Sequence, residues 1–211
     1  MENFDLSVQR FDEYAAEYAQ RYMDLDAYSD SIDAFCNLIP NKKPKILELG
    51  CGPGNVTRLL KTQFPEAQIT ALDLAPRMIA IARKQLPEVD FRVMDVRDIL
   101  VLKGKFDAVM CSFCLPFLSK ADAQKLIADC GEKLNRGGVI YISTMEGNES
   151  DAGFEKTSFS KCSEIYFNYH TKEDLQQALI ASGFEINRLK LQEYPEPDGR
   201  KTIDIIFVGK K

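Results

Sequence analysis

Three glycines and three acidic side chains hold most of the chemical content of this sequence. Gly50, Gly52 and Gly54 alternate with Cys51 and Pro53 immediately after the apolar run Ile46-Leu47-Glu48-Leu49, so a buried-strand pattern leads directly into a glycine turn. Glycine lacks a Cβ, so each of these positions can take a positive φ and let a ligand come close to the main chain. A helix starting near Asn55 would aim its unpaired first N–H groups at the same place, which suits a nucleotide-like ligand. A dinucleotide fingerprint, G-x-G-x-x-G, would need glycine where Asn55 stands, and Gly54 comes one residue early. No Gly-Lys-Ser/Thr follows, which argues against a P-loop.

Asp73 supplies the first carboxylate. Val56, Leu59, Leu60 and Phe64 share one face of a helical pattern, and Pro65 then precedes a short strand, Ile69-Thr70-Ala71-Leu72, that ends at Asp73. Its offset, roughly 20 residues past the glycines, is where an acidic side chain meets a ribose in βαβ nucleotide sites. Each charge-assisted bond from a ribose hydroxyl is worth about 1.5–3 kcal/mol where water is excluded, and the same charge repels a ribose phosphate.

Together these residues resemble the class I S-adenosylmethionine-dependent methyltransferases of the small-molecule type. The family's first motif is similar to Glu48–Gly54 and its second to Ala71-Leu72-Asp73-Leu74-Ala75-Pro76-Arg77-Met78. Its third resembles Met94-Asp95-Val96-Arg97-Asp98, its fourth Phe106–Ser112 and its fifth Leu134–Ser143. The motifs run in order over about half of the chain. The resemblance implies S-adenosylmethionine as cofactor, with S-adenosylhomocysteine as product. It implies that Gly50 and Gly52 line its methionine part, with Cys51 and Asn55 of the same turn also cofactor-binding, that Asp73 holds the ribose, and that Leu74 and Met78 flank the adenine. Asp95 and the Val96 backbone would meet the adenine amino group and Cys111 the amino-acid end, with Glu48 supporting the ammonium directly or through water. A leading Phe-Asp-x-x-Ala-x-x-Tyr pattern, resembled by residues 11–18, implies a lid in which Tyr14, Tyr18 and Tyr22 are candidates.

The elements that must position these residues alternate strand and helix, which predicts an α/β fold with a parallel sheet covered on both faces. The resemblance makes this a Rossmann-like, seven-stranded, mostly parallel sheet. Residues 1–40 form an expected helical cap, with one amphipathic helix carrying Phe11, Tyr14, Ala15, Tyr18 and Tyr22 and a second over about 29–38. Residues 41–144 are the expected cofactor-binding half. Residues 145–211 complete one domain on the substrate side, with an aromatic loop over 146–170, a helix, and two β-rich runs flanking Pro195–Gly199 that resemble the family's antiparallel closing hairpin. Ser119-x-x-Asp122 and Thr171-x-x-Asp174 are variants of the capping box that predict two helix starts, and Gly137 and Gly183 are the expected stops.

Composition narrows the function classes. With 211 residues the chain can bury about 70% of its unfolded surface, enough for one substantial core. It has 27 basic and 32 acidic side chains, a net charge of −5, and scattered lysines and arginines, which argues against nucleic acid as partner. The first residues lack the pattern of a secretory signal, and the longest apolar run is shorter than a membrane span, so the cytoplasm is the expected location. Of six cysteines only Cys111 and Cys114 have paired spacing, and with one histidine in the chain a structural zinc site lacks ligands. A redox pair should open a helix, whereas these two end a strand.

Methyl transfer from a sulfonium is an in-line displacement, so alignment of the reactants is the protein's main task. A general base is needed only where the acceptor enters protonated and water cannot take the proton. His170 is a candidate for that role and Tyr169 for orienting a substrate, although Tyr169-His170-Thr171 also reads simply as a turn into a helix. Cys114–Phe117 is a candidate acceptor wall, and an apolar wall with an aromatic lid points to a small organic acceptor. The alternatives are a cofactor-binding or regulatory protein without catalysis and, on a related sheet, a nicotinamide dehydrogenase.

Overall fold

A computed structural model describes residues 3–23, 26–157, 159–160, 163–195 and 201–211. The central sheet has seven strands in the order β3-β2-β1-β4-β5-β9-β8. β1 (Lys45–Leu49), β2 (Gln68–Asp73), β3 (Asp90–Val93), β4 (Phe106–Ser112) and β5 (Leu134–Met145) pair in parallel. β8 (Glu185–Pro195) and β9 (Lys201–Lys210) add an antiparallel hairpin, with β9 against β5. Strands covered on both faces need continuous apolar runs, and Ile46–Leu49 and Ala108–Cys111 are buried at every position.

Helices cover both faces of the sheet and enclose two cores. On one face α6 (Lys120–Lys133) and α7 (Lys172–Ala181) contribute Leu126, Ile127 and Leu175 to a cluster with Leu47, Leu49 and Val109. On the other, α3 (Ser29–Leu38), α4 (Asn55–Gln63) and α5 (Pro76–Gln85) pack Phe35, Leu60 and Ile79 against Ile46, Ala71 and Met110. Each such side chain contributes about 1.5–3 kcal/mol by leaving water. The caps are where their spacing predicts them. Ser119 Oγ accepts from Asp122 N at 3.1 Å, and Thr171 Oγ1 from Asp174 N at 3.2 Å. Gly183, at φ +83°, stops α7: its N–H reaches Ile180 O and that of Phe184 reaches Leu179 O, the paired bonds of a Schellman motif.

Three expectations are corrected. Gly137 does not stop α6, which ends at Lys133; Leu134 is already extended and β5 begins there. The single N-terminal helix is two, α1 (Asn3–Glu13) and α2 (Ala15–Tyr22), broken at Tyr14 (φ −102°, ψ 25°), whose hydroxyl lies 3.0 Å from Ser163 Oγ. The loop over 146–170 contains a second, two-stranded sheet of β6 (Gly153–Lys156) and β7 (Glu164–Phe167). Phe154 faces Tyr166 across that ladder with ring centroids 5.2 Å apart, a cross-strand pair that repays ordering the segment. Residues 196–199 of the expected closing segment, and Cys162, lie outside the described residues. No helix among the described residues is long and apolar enough to cross a membrane.

Candidate active site

The strand order reverses between β1 and β4, and a parallel sheet opens a crevice at the carboxyl ends of such strands. The glycine turn leaves β1 at this point. Gly50, Gly52 and Gly54 all have positive φ, +67°, +53° and +90°, but the three positions do different work. A Cβ on Gly50 would lie 3.0 Å from Cys114 Cβ, and one on Gly54 would lie 3.3 Å from Ala82 Cβ, so these two let the turn pack against the β4 exit and against α5. A Cβ on Gly52 would find only Tyr18 Cε1, at 3.8 Å, and would enter the cavity. Gly52 is therefore the position that leaves room for a ligand.

Asp73, at the tip of β2, binds both sides of that opening. Its Oδ2 accepts from Gly52 N at 2.8 Å and its Oδ1 from Ala75 N at 2.9 Å. A carboxylate has about four lone-pair sites, so two main-chain bonds leave capacity for ligand hydroxyls. Burial raises the Asp73 pKa, and the N–H groups of Ala75, Gly52 and Leu74 counteract it. Glu48 lies behind the turn, only 2% exposed, with Thr57 Oγ1 donating to its Oε2 at 2.7 Å. Burial pushes its pKa up to about 8 even against the Thr57 bond.

A cavity of about 700 Å³ joins these elements, within the range of small-molecule sites. Gly50, Gly52, Asn55, Asp73, Leu74, Met78 and Val96 line one end, with Tyr18 and Tyr22 of α2 over them. Asn55 also ties that lid down, since its Nδ2 donates to Tyr22 O at 3.0 Å. Burial and the neighbouring Tyr22 raise the Tyr18 pKa, so its hydroxyl stays protonated. The other end is walled by Phe113, Cys114, Pro116 and Phe117 after β4, by Phe159 and Phe167, and by Tyr28, Met145 and Asp204.

Several anticipated residues stand away from the cavity wall. Glu48, Cys51, Asp95 and Cys111 are not among its lining residues. Burial works against the charge on Asp95, but bonds from the Arg97 guanidinium and main-chain N–H outweigh it and lower its pKa. Arg97 grips it with two nitrogens, Nε at 3.0 Å and Nη2 at 2.6 Å from Oδ2, and Asp95 Oδ1 also caps the following 3-10 turn. At the β4 exit Cys114, not Cys111, lines the cavity; the hydrogen bond that its thiol donates to Cys111, together with burial, holds that thiol well above the ordinary range.

His170 is 4% exposed and does not line the cavity. Its Nε2 stands 2.9 Å from Leu115 O, and because a carbonyl only accepts, that nitrogen is the protonated one. Burial lowers its pKa, so the ring is neutral and links the segment before α7 to the β4 exit. Tyr169 is also off the wall, and its hydroxyl donates to Glu155, which lines the cavity.

Of the further contributors, Asp12 belongs to the leading pattern at residues 11–18, whereas Ser7 carried little sequence signal. Asp12 Oδ1 accepts from Arg77 N at 2.6 Å, so α1 latches onto the start of α5 beside Asp73. Ser7 Oγ donates to Tyr166 O at 3.1 Å and accepts from Tyr166 N at 3.2 Å, which fixes α1 to β7. Asp204 did leave a trace, as an acid within the otherwise apolar Ile203-Asp204-Ile205-Ile206-Phe207-Val208.

Comparison with known proteins agrees with this geometry. A family model described as a methyltransferase domain matches residues 46–138, the stretch from β1 through β4 into β5. A ubiquinone biosynthesis O-methyltransferase of Xanthomonas campestris is 34% identical over 161 residues, 71% of this chain and 64% of that protein. These matches support a class I S-adenosylmethionine-dependent methyltransferase. A demethylmenaquinone methyltransferase of Thermotoga maritima is 35% identical over 98 residues, 46% of this chain and 42% of that one. The chain thus spans less than two thirds of the length of either curated relative. The magnesium protoporphyrin IX methyltransferase of Synechocystis, crystallised with S-adenosylmethionine, shares the fold at a TM-score of 0.74 and 16% identity, over 100% of this chain and 98% of that one.

The family's cofactor fits the residues present. Gly52 leaves the turn open, Asp73 keeps acceptor capacity beside it for a ribose, and Leu74, Met78 and Val96 form apolar walls for a planar base.

Proposed function

We propose that this chain transfers a methyl group from S-adenosylmethionine to a small organic acceptor by in-line displacement. The observation that carries the reading is the continuity of one cavity, from the Gly52–Asp73 opening to an aromatic chamber past Cys114. When bound, the cofactor supplies an electrophilic methyl on a sulfonium. The Gly50–Gly54 turn would hold the methionine part and Asp73 the ribose, with the chamber opening at the β4 exit. Phe11, Phe117 and Phe159 pack with centroids 4.9 and 5.4 Å from Phe11, close the roof and exclude water. Orientation of this kind supplies several kcal/mol, up to about 7–11 in well-arranged systems.

His170 and Tyr169 take no part in the transfer on this reading. Glu48, behind the turn and off the cavity wall, would support the ammonium through water. The described residues work as one catalytic unit on a small molecule, with no nucleic acid. A cytoplasmic setting suits the five described cysteines, all free thiols.

The test is transfer of radiolabelled methyl from S-adenosylmethionine into an organic extract of cellular metabolites. Label in a small product that depends on active protein is the expected result. Tight binding of S-adenosylhomocysteine without transfer into any fraction would indicate a binding protein without catalysis, and tight binding of NADH would indicate a dehydrogenase.

A further inference from the structure

The end of the sheet opposite the cavity carries an excess of positive charge in a chain whose net charge is −5. The parallel strands open there, and the segments that lead into them carry Lys42, Lys45, Lys103, Lys105 and Arg136, all exposed. These cations are scattered along the sequence and gathered only by the fold. Asp107 ties two of the segments together: its Oδ2 accepts from Lys45 N at 2.9 Å and Asn41 Nδ2 at 3.3 Å, and its Oδ1 from Asn135 Nδ2 at 2.9 Å. Lys133 Nζ donates to Leu102 O, which fixes the segment before Lys103 to the end of α6, where β5 begins. β9 finishes at the same end, with Gly137 N donating to Lys211 O at 2.6 Å and Lys211 N to Gly138 O at 2.9 Å.

The acids at this end are mostly committed elsewhere. Glu66 pairs with Lys43, Asp107 is taken up by the three bonds above, and Glu185 stands opposite Lys210 in the β8–β9 ladder. Glu132, exposed in the last turn of α6, offsets part of the excess. Among the described residues none of Lys42, Lys45, Lys103, Lys105 and Arg136 forms an ion pair. Beside them the fold leaves two adjacent apolar side chains in water: Leu100 is 45% exposed and Val101 73%, directly before Leu102-Lys103-Gly104-Lys105. Gly104, at φ +79°, turns the chain back into β4, so this pair and its lysines share one short connection. Exposed apolar residues beside lysines are the composition of a contact with a membrane surface. Most of the cations are lysines, compact charges that need no fixed partner geometry, whereas arginine suits a bidentate carboxylate. A nucleic acid would use the charges but bury neither Leu100 nor Val101.

We propose that this end of the sheet docks the protein on an anionic lipid bilayer without spanning it. Leu100 and Val101 enter the headgroup boundary, while Lys42, Lys45, Lys103, Lys105 and Arg136 approach the lipid phosphates. Each cation held near such a surface strengthens binding about fivefold. The cavity lies at the carboxyl ends of the same strands and therefore faces the water. The acceptor then enters from solution, and methyl transfer does not depend on the lipid. The docking face shares no residue with the cofactor site, so the two readings stand or fall separately.

The experiment is sedimentation of the full chain with vesicles of phosphatidylcholine alone and of phosphatidylcholine and phosphatidylglycerol in equal parts. At about 0.1 M salt, partitioning onto the anionic vesicles should exceed that onto the neutral ones at least tenfold; at about 1 M, where the Debye length falls from about 10 to about 3 Å, the difference should disappear. Lys103→Glu/Lys105→Glu should weaken partitioning at least tenfold and Val101→Ser at least threefold. All three side chains are exposed, so Tm and affinity for S-adenosylhomocysteine should stay as in wild type. Heparin and poly-glutamate, polyanions without an apolar phase, should bind more weakly than the anionic vesicles, and Val101→Ser should leave that binding unchanged. Equal partitioning onto both vesicles, none onto either, or either variant binding like wild type overturns the proposal. Tighter capture by heparin or poly-glutamate than by the anionic vesicles overturns it too, and assigns the face to a nucleic acid or an acidic protein.

Discussion

Replacing Gly52 and Gly54 separately by alanine should divide binding from stability, because the two glycines meet different surroundings. At Gly52 the added methyl contacts Tyr18 at an ordinary 3.8 Å, so the fold loses only what a left-handed φ costs, about 1–2 kcal/mol. In a domain of this size that lowers Tm by roughly 2–8 °C. The methyl stands in the opening beside Asp73, so affinity for S-adenosylhomocysteine should fall about a hundredfold, a change of about 2.7 kcal/mol. At Gly54 the φ of +90° brings the same kind of strain, and the methyl also presses to 3.3 Å from Ala82 Cβ on α5. Overpacking adds about 1–3 kcal/mol, for a total of about 2–5 kcal/mol, or roughly 4–20 °C in Tm. The assays are differential scanning calorimetry and isothermal titration of S-adenosylhomocysteine. A Gly52→Ala protein that binds like wild type, or a Gly54→Ala protein as stable as Gly52→Ala, would refute the division of roles.

Other consequences are equally open to measurement. Because the folded pKa of Glu48, about 8, lies above its ordinary 4.5, the native state holds an extra proton in this window. Stability should therefore be fullest below about pH 4.5 and decline as pH rises toward 8; Glu48→Gln should flatten that decline by several kcal/mol in urea titrations run from pH 5 to 9, and an unaltered slope would contradict the assignment. Asp12→Ala removes the acceptor on Arg77 N, so stopped-flow release of S-adenosylhomocysteine should accelerate several-fold at a stability cost of about 1 kcal/mol; unchanged release would mean that α1 does not latch the site. His170→Asn should lower Tm through loss of a buried bond worth about 1–3 kcal/mol, yet leave the pH dependence of methyl transfer in place, whereas disappearance of a pKa from that profile would restore His170 as a base.

The cofactor half of the site was legible in the sequence because its signals are local. Gly50, Gly52 and Gly54 sit within five residues of one another, Asp73 follows after a single helix, and each marks the carboxyl end of a strand that the apolar runs already define. Ser119, Thr171 and Gly183 were readable for the same reason, since a cap is decided by its nearest neighbours. The acceptor half depends on contacts remote in the chain. Tyr28 meets Asp204 across 176 residues, and Ser7 meets Tyr166 across 159. The β6–β7 pair escaped notice because four-residue strands give too short a period to distinguish from a loop. Asp95 and Cys111 were placed by motif similarity, which fixes a position along the chain but not the direction of a side chain. Asp95 turns to Arg97, and Cys111 is hydrogen-bonded to Cys114.

The central claim is that the opening between Gly52 and Asp73 holds an adenosyl group by its ribose. Calorimetric titration of S-adenosylhomocysteine into wild type, Asp73→Asn and Asp73→Ala addresses it most directly. One site per chain is expected, with affinity at least tenfold weaker in Asp73→Ala, intermediate in Asp73→Asn, and no competing affinity for NADH. Equal affinity in all three proteins, or no binding to the wild type, would contradict the account.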